Sequence, residues 1–439
     1  MEMLEQVSNF DQEIKFITGF AGSGKSTRLA ELADSKTLVL TPTHKAASVL
    51  MDKGVSNVYT IHATLKLVPT LNQNYNPLKN HKMQKLKQIG STDLESIKDV
   101  FIDEFSMIPQ DVLDLLLEVL PASAKVTVFG DPFQLPPVDG EQIDPLIYTD
   151  DIEELTVQHR AEAPEVVETF MRFMNYIKTG DNNSNLRMNP AIQHGTLRGF
   201  NPLHDRALAF TNKRVNELND EIAEVLEIRK EFTHLDDLVA NSIDCIFVND
   251  IMVTEDFAQT LFPNCISKGK LMEQKKLEDQ ANKAMIDIHK YGTGKFLGHY
   301  EEGLIRINDK TYAITYDRDH YHTQKALKAE VDKWQSYIYS NYDIDEDEKL
   351  KDWCYANKGE KGVKERGQAW SHYIAHSNLV FNLQRPFATT IHKSQGSEFK
   401  TVYIAQTDIK RAIRSGYYLN YARLMYVALS RAINKVVLV

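Results

Sequence analysis

Short apolar runs alternate with helical stretches along the opening third of the chain. Ile14–Gly19 is β-like and precedes a helical Lys25–Asp34; Thr37–Thr43 (TLVLTPT) is β-like and precedes a helical His44–Met51. Asp99–Glu104 and Lys125–Asp131 are two more apolar runs that end in acids, with a helical Gln110–Leu120 between them. Strands alternating with helices predict a parallel α/β sheet. In such sheets ligands sit beyond the carboxyl ends of the strands, and here each run ends in a polar or glycine-rich motif.

The pattern breaks twice. Leu67–Lys98 is polar, rich in Asn and Lys, and contains LKNHKMQKLK, which reads as a subdomain inserted into the first sheet. A second α/β unit starts near Thr156, with a strand at Ala207–Thr211, and resumes at Phe387–Thr390, Thr401–Ala405 and Val436–Val439. Between its halves lies a long insertion, Glu227–Arg385. It holds all three tryptophans (Trp334, Trp353, Trp370), the acidic run DIDEDEK and two β-like pieces at Gly303–Ile307 and Thr311–Tyr316.

Composition adds limits. The 439 residues are 42% hydrophobic and 26% charged, as expected of a water-soluble chain with several cores. No run approaches the ~20 apolar residues of a membrane span, and the acidic, polar start does not read as a targeting peptide. Cys245, Cys265 and Cys354 are scattered, without a C-x-x-C pair; this excludes a disulfide framework and a zinc module and predicts a cytoplasmic setting. The net charge of −10 argues against a tight, static nucleic-acid binder. A cleft is governed by its local field rather than by the total.

The candidate chemistry starts at Gly19–Ser26. GFAGSGKS fits G-x-x-x-x-G-K-[ST] and sits after a β-like run at the start of a helix. Its backbone N–H groups can cradle phosphate oxygens, the helix N-terminus favours anions, Lys25 would reach the β/γ-phosphates and Ser26 would ligate Mg²⁺. Gly22, Ser23, Gly24 and Thr27 complete the expected nucleotide loop. In VFIDEFSM, Asp103 suits a contact to Mg²⁺, direct or through water, and Glu104 suits activation of the attacking water. In VFGDPFQLPPV, the Gln134 amide can donate and accept, as a γ-phosphate sensor must. Arg160, after LTVQH, and Arg431, in YVALSRA, are candidates to stabilise charge on a transferring phosphate.

Taken in order, GFAGSGKS, LTPTHKAA (Leu40–Ala47), TIHATL (Thr60–Leu65), IDEFSM, GDPFQLPPV, LTVQHR, AFTNKRVNELN (Ala209–Asn219), TTIHKSQGSEF (Thr389–Phe399) and LMYVALSRA (Leu424–Ala432) resemble a superfamily 1 helicase. GDPFQLPPV and TPTHKAA resemble its RecD-like, Dda-like branch, superfamily 1B. The resemblance implies an α/β fold of two RecA-like parallel-sheet motor domains with inserted subdomains, the second insertion containing an SH3-like β domain. The expected division is 1–66 with 99–150 (first motor), 67–98 (pin), 151–226 with 386–439 (second motor) and 227–385 (SH3-like and tower).

The resemblance further implies ATP and Mg²⁺ between the motors. Lys25, Glu104, Gln134, Arg160 and Arg431 would be catalytic, Ser26 and Asp103 would hold the metal, Glu398 would contact the ribose, and Gln6, in EQVSNF, would read adenine. Thr43, His44, His62, Asn212, Thr390 and His392 match DNA-facing positions. Thr43 and His44 could instead merely cap a helix, and His62 could be a core histidine. In the pin, Lys79, Lys82, Lys85 and Lys87 could hold phosphate, and Tyr75 and Leu78 are the apolar candidates for its tip; Trp370 could stack on a base or fill a core. The implied activity is an ATP-dependent DNA helicase and single-strand translocase moving 5′ to 3′. Its expected partners are single-stranded and forked DNA, with a single-strand-binding protein or replication proteins, and a monomer is the default. Competing readings are a translocase that remodels protein–DNA complexes with little unwinding, a P-loop phosphotransferase, and a DNA-binding module without turnover.

Overall fold

The computed structural model describes residues 11–72, 75–77, 83–90, 92–137, 140–159, 162–180, 188–202, 204–226, 245–248, 251–254, 300–307, 310–317, 320–342, 344, 348–381, 387–414 and 418–439. In chain order it opens with β1 (Glu13–Gly19), α1 (Lys25–Leu32), β2 (Leu38–Thr41), α2 (His44–Asp52), β3 (Val58–Thr60) and the single-turn α3 (Ile61–Thr64). The hairpin β4 (Leu67–Leu71) and β5 (Gln84–Gln88) follows, then β6 (Asp99–Ile102), α4 (Gln110–Val119), β7 (Lys125–Gly130), β8 (Ile152–Leu155) and α5 (Pro164–Thr179).

Six of these strands form a parallel sheet in the order β3-β2-β6-β7-β1-β8. Apolar side chains on the central strands explain its stability: Phe16, Val39, Leu40, Val100, Ile102, Val128 and Phe129 are fully buried, as expected of strands covered on both faces. β8 alters the expected boundary. Ile152–Leu155 pairs in parallel with Phe16–Gly19, so residues 151–155 close the edge of the first sheet and do not open the second domain.

The second half contributes β9 (Asp205–Ala209) and α6 (Asn212–Val225). After the insertion come β15 (Ala388–Thr390), β16 (Phe399–Ile404), the short helices at Gln406–Ile409 and Arg411–Arg414, a buried helix at Tyr418–Ser430 and β17 (Ala432–Leu438). These strands form a second, all-parallel sheet in the order β15-β9-β16-β17. Beyond its exposed first turn the helix Tyr418–Ser430 is mostly apolar, with Tyr421, Ala422 and every residue from Leu424 to Ser430 buried; that stretch belongs inside a core. It packs on α5 through Phe170–Tyr426 and Phe173–Tyr421 ring contacts. Phe20, Ala21 and Leu135, from loops of the first sheet, are buried in the same cluster. Both sheets belong to one compact unit of residues 1–66, 90–230 and 386–439.

The other compact unit combines residues 67–89 with 231–385. Its described strands are the β4–β5 hairpin, an antiparallel pair β10 (Cys245–Val248) and β11 (Ile251–Thr254), and a three-stranded sheet of β12 (Tyr300–Ile307), β13 (Lys310–Asp317) and β14 (Val380–Phe381). Three helices, α7 (His320–Asn341), α8 (Glu348–Ala356) and α9 (Lys361–Leu379), complete it. The first inserted segment is therefore shorter than expected, since 90–98 clusters with the first sheet and Leu94 is buried. The hairpin shares a core with the later helices: Leu71, Tyr75 and Met83 pack with Val331 and Ala369, against Trp334, Trp370 and Tyr373. Tyr75, 3% exposed, donates its hydroxyl hydrogen to Asp332 Oδ1 at 2.6 Å. It is an anchor, not a tip. Leu78, Lys79 and Lys82 lie outside the described residues, while Lys85 and Lys87 are exposed. Trp370 stacks on Tyr373 within that core.

One close approach makes a test of the packing. A Cβ on Gly130 would stand 2.4 Å from Phe105 Cδ1 and 2.8 Å from the Phe105 backbone nitrogen. Gly130→Ala is therefore expected to cost about 1–3 kcal/mol through overpacking, read as a melting temperature lowered by several degrees.

Candidate nucleotide site

The site is built where β1, β6 and β7 end. After β1 the chain turns through Gly22 and Gly24, both at positive φ (84° and 89°), a region open to glycine at little cost. Gly24 caps α1, which has no side-chain cap of its own, so the helix N-terminus faces the loop that would receive an anion. Lys25 is buried, and its ammonium donates to the carbonyls of Gly19 at 2.7 Å and Phe20 at 3.0 Å.

β6 delivers the acids. Asp103 is buried, and its Oδ1 accepts the Glu104 backbone N–H at 2.9 Å. Burial and the adjacent Glu104 charge push the Asp103 carboxyl up to about 7, against the opposing pull of that hydrogen bond, Lys25 and Lys53. Glu104 adopts φ 55°, ψ 48°, the left-handed region that non-glycine residues rarely enter, and its buried Oε2 has no hydrogen-bond partner.

A cavity of about 330 Å³ opens over these groups. Its wall includes Gly22, Gly24, Lys25, Ser26, Thr27, Glu104 and Gln134 from the first sheet's loops, and Glu398, Arg431 and Ile433 from the second. Arg431 is 1% exposed; its guanidinium donates to the carbonyls of Val427 (3.2 Å) and Ser397 (3.4 Å) and to Ser430 Oγ (3.0 Å). Gln134 is buried, accepts from Gln395 Nε2 at 3.3 Å and reaches Asp131 Oδ2 at 3.5 Å. Of the expected nucleotide-site residues, Gln6 and Arg160 lie outside the described residues. Ser23 is buried beside Gly19 with its Oγ unpartnered.

Three wall or near-wall residues were not singled out from the sequence. Lys53 reaches Thr27 Oγ1 at 3.3 Å, and it comes from a loop without motif character. His159 lines the cavity and donates its backbone N–H to Gly22 O at 2.9 Å. Asp131, wholly buried, follows β7 and accepts from Phe133 N–H and Tyr426 Oη; its place within GDPFQ was the available signal.

The donor set fits a divalent cation only in part by itself. Among the described residues no cluster of three or more His, Cys, Asp or Glu could hold a metal. Ser26 on the wall, with Asp103 buried behind Glu104, suits a hydrated Mg²⁺ that takes its remaining oxygens from phosphate. A carboxyl whose ionisation is opposed by burial is also one whose ionised form gains most from a nearby cation.

The DNA-matching residues stand at the carboxyl ends of strands in both sheets. Thr43 follows β2 and accepts from Ala46 N–H at 3.2 Å, so its hydroxyl caps α2, which His44 opens. His62 follows β3; it is half-buried and desolvation lowers its pKa. In the second sheet, Asn212 is exposed in the first turn of α6. Thr390 is buried and accepts from Lys393 N–H, and His392 lies against Phe210 with its pKa lowered by burial.

Asp103→Asn keeps an acceptor for the Glu104 N–H and removes a desolvated charge. In EDTA, without nucleotide, it is expected to melt at or above the wild-type temperature while losing Mg²⁺-dependent ATP hydrolysis. Differential scanning calorimetry and an ATPase assay on the same preparation read both effects.

Residues 1–200 match a family model described as an AAA domain, and residues 387–439 match a UvrD-like helicase C-terminal domain. The ATP-dependent DNA helicase dda of Enterobacteria phage T4 is 27% identical over 417 residues, covering 88% of this chain and 86% of that protein. The ATP-dependent DNA helicase Pif1 of Campylobacter jejuni is 23% identical over 455 residues, covering 99% and 89%. Among solved structures, a Bacteroides Pif1 helicase in complex with ADP-AlF3 and ssDNA aligns over 98% of this chain and 89% of that one, at 16% identity and a TM-score of 0.44. Two helicase-related models matched in one chain, and two DNA helicases aligned along nearly all of it, make this chain similar to the Dda and Pif1 helicases over almost its whole length.

Proposed function

We propose that this chain is an ATP-dependent DNA helicase and single-strand translocase that moves 5′ to 3′ and separates forked duplexes. The observation that carries this reading is the single cavity whose wall takes Lys25, Glu104 and Gln134 from one sheet and Glu398 and Arg431 from the other. A triphosphate bound there touches both halves at once. Its binding and cleavage then change how strongly the halves hold each other, the differential interaction that a motor needs.

In the proposed cycle, Lys25 exchanges the Gly19 and Phe20 carbonyls for β/γ-phosphate oxygens. Ser26 and Asp103 would hold a Mg²⁺ ion, which would neutralise phosphate charge. Glu104 orients and deprotonates the attacking water, and its unpartnered Oε2 is free to accept that proton. Gln134 reads the γ-phosphate. Arg431, with Arg160, stabilises the charge that develops on the transferring group. Glu398 meets the ribose and Gln6 the base.

The two sheets are read as RecA-like motor domains. The strand would cross their carboxyl-terminal rims, where Thr43, His44, His62, Asn212, Thr390 and His392 lie. The hairpin β4–β5 would act as the pin, and the β-rich part of the second insertion as the SH3-like domain. A single-strand-binding protein or replication proteins are the expected partners. Among the described residues no helix is long and apolar enough to cross a membrane.

Two measurements test the proposal. Lys25→Ala should abolish ATP hydrolysis and leave single-strand binding intact, and Glu104→Gln should bind ATP but turn over at least ~100-fold slower, the scale of a lost general base. Forked duplexes carrying either a 5′ or a 3′ single-stranded tail test direction: the 5′-tailed fork should be unwound and the 3′-tailed one left intact. DNA-stimulated hydrolysis without strand separation on either fork would favour a remodelling translocase.

A further inference from the structure

The helix Tyr418–Ser430 lies in the second half of the chain, yet its side chains reach two loops of the first sheet. Tyr426 is fully buried, and its hydroxyl is used in both directions: it accepts the backbone N–H of Ala21 at 2.8 Å and donates to Asp131 Oδ2 at 2.5 Å. Ala21 lies inside the phosphate loop, and Asp131 opens the segment that carries Gln134. One turn earlier, Arg423 Nη1 donates to the carbonyl of Gln134 at 2.6 Å. The same helix ends at Ser430, and Arg431 follows it directly.

We propose that Tyr426 is a positioning residue for ATP hydrolysis: its hydroxyl ties the phosphate loop at Ala21 to the Gln134 segment at Asp131 and locks both to the helix that carries Arg431. The proposal rests on the ATPase reading above. Among the described residues, Arg423 and Gln395 hydrogen-bond to the Gln134 segment, whereas Tyr426 joins the two nucleotide-facing loops to each other. A movement of either loop of the size of a hydrogen bond must break this junction or carry the helix with it. Burial and the Asp131 charge hold the phenol well above its usual range, so it stays a donor at every pH of interest. The ring itself is fixed by Phe133 and Phe170, at 6.5 Å and 6.0 Å between centroids, so removing the oxygen leaves the packing in place.

Tyr426→Phe is the test, in the full chain, with wild type measured first. The expected result is a melting temperature within a few degrees of wild type, a dissociation constant for a fluorescent ADP analogue within about threefold, and a KM for ATP that is little changed. The kcat with saturating oligo-dT should drop at least tenfold. A role in folding alone would lower the melting temperature and leave turnover per folded molecule as it was. Asp131→Asn closes a double-mutant cycle: because both groups act through one junction, the two losses in kcat should not multiply. Multiplying losses, or a Tyr426→Phe turnover within twofold of wild type, overturns the proposal.

Hydrogen exchange provides a readout independent of turnover. The peptide containing Ala21 should exchange faster in Tyr426→Phe, and unchanged protection there overturns the proposal even without any ATPase activity. A wild-type chain that fails to hydrolyse ATP with DNA refutes the helicase reading instead.

Discussion

Asp103 and Glu104 are consecutive acids at the end of one strand, and the first of them is almost wholly removed from water. Neighbouring carboxylates in a desolvated place repel each other, and the ionised pair is tolerated only with cations nearby. Lys25 and Lys53 supply that field. Lys25 in turn has its place because the phosphate loop folds its own carbonyls onto the ammonium. The glycine turns, the uncapped start of α1 and the left-handed backbone at Glu104 are therefore parts of a single electrostatic arrangement. It is one that a polyanion with its own divalent ion would complete, since both the repelling acids and the inward-turned lysine gain partners from it.

The second sheet enters this arrangement from behind. Its buried helix brings Arg431 to the cavity wall, and the same helix inserts Tyr426 and Arg423 among the first sheet's loops. An apolar helix of this kind is fixed by packing on all sides, so what it carries is placed with little freedom. Cavity geometry is thus set by a core shared between the two halves, with Phe20, Ala21 and Leu135 crossing into it. That is why Lys25 and Arg431, about 400 positions apart in the chain, line one cavity.

Much of this was legible from residue order. Apolar runs ending in GFAGSGKS, TPTHKAA and IDEFSM became β1, β2 and β6 within a residue or two, and β9, β15, β16 and β17 followed their predicted runs. The failures have physical causes. Ile152–Leu155 reads IEEL, too polar to announce a strand, because it is an edge of the sheet with much of its surface wet. Tyr75 was one of two candidates for the tip; its partners, Asp332 and Val331, lie some 250 positions away and leave no local trace. Tyr426 was in view within LMYVALSRA but carries no sign of its bonds to Ala21 and Asp131, which exist only after two sheets have packed. Lys53 belongs to no motif at all. Chain-local patterns report which face of an element is apolar; they do not report what meets it.

The shared core of the hairpin and the later helices has a consequence for synthesis. Leu71, Tyr75 and Met83 are made early, but the surface that covers them is not complete until α9 has left the ribosome. At translation rates of about 5–20 residues per second, the wait is on the order of tens of seconds. During that time the apolar side chains of Leu71, Tyr75 and Met83 have no native surface to cover them. The two insertions also form an inseparable pair in descent: a recombination that exchanged one without the other would strand an aromatic cluster in water.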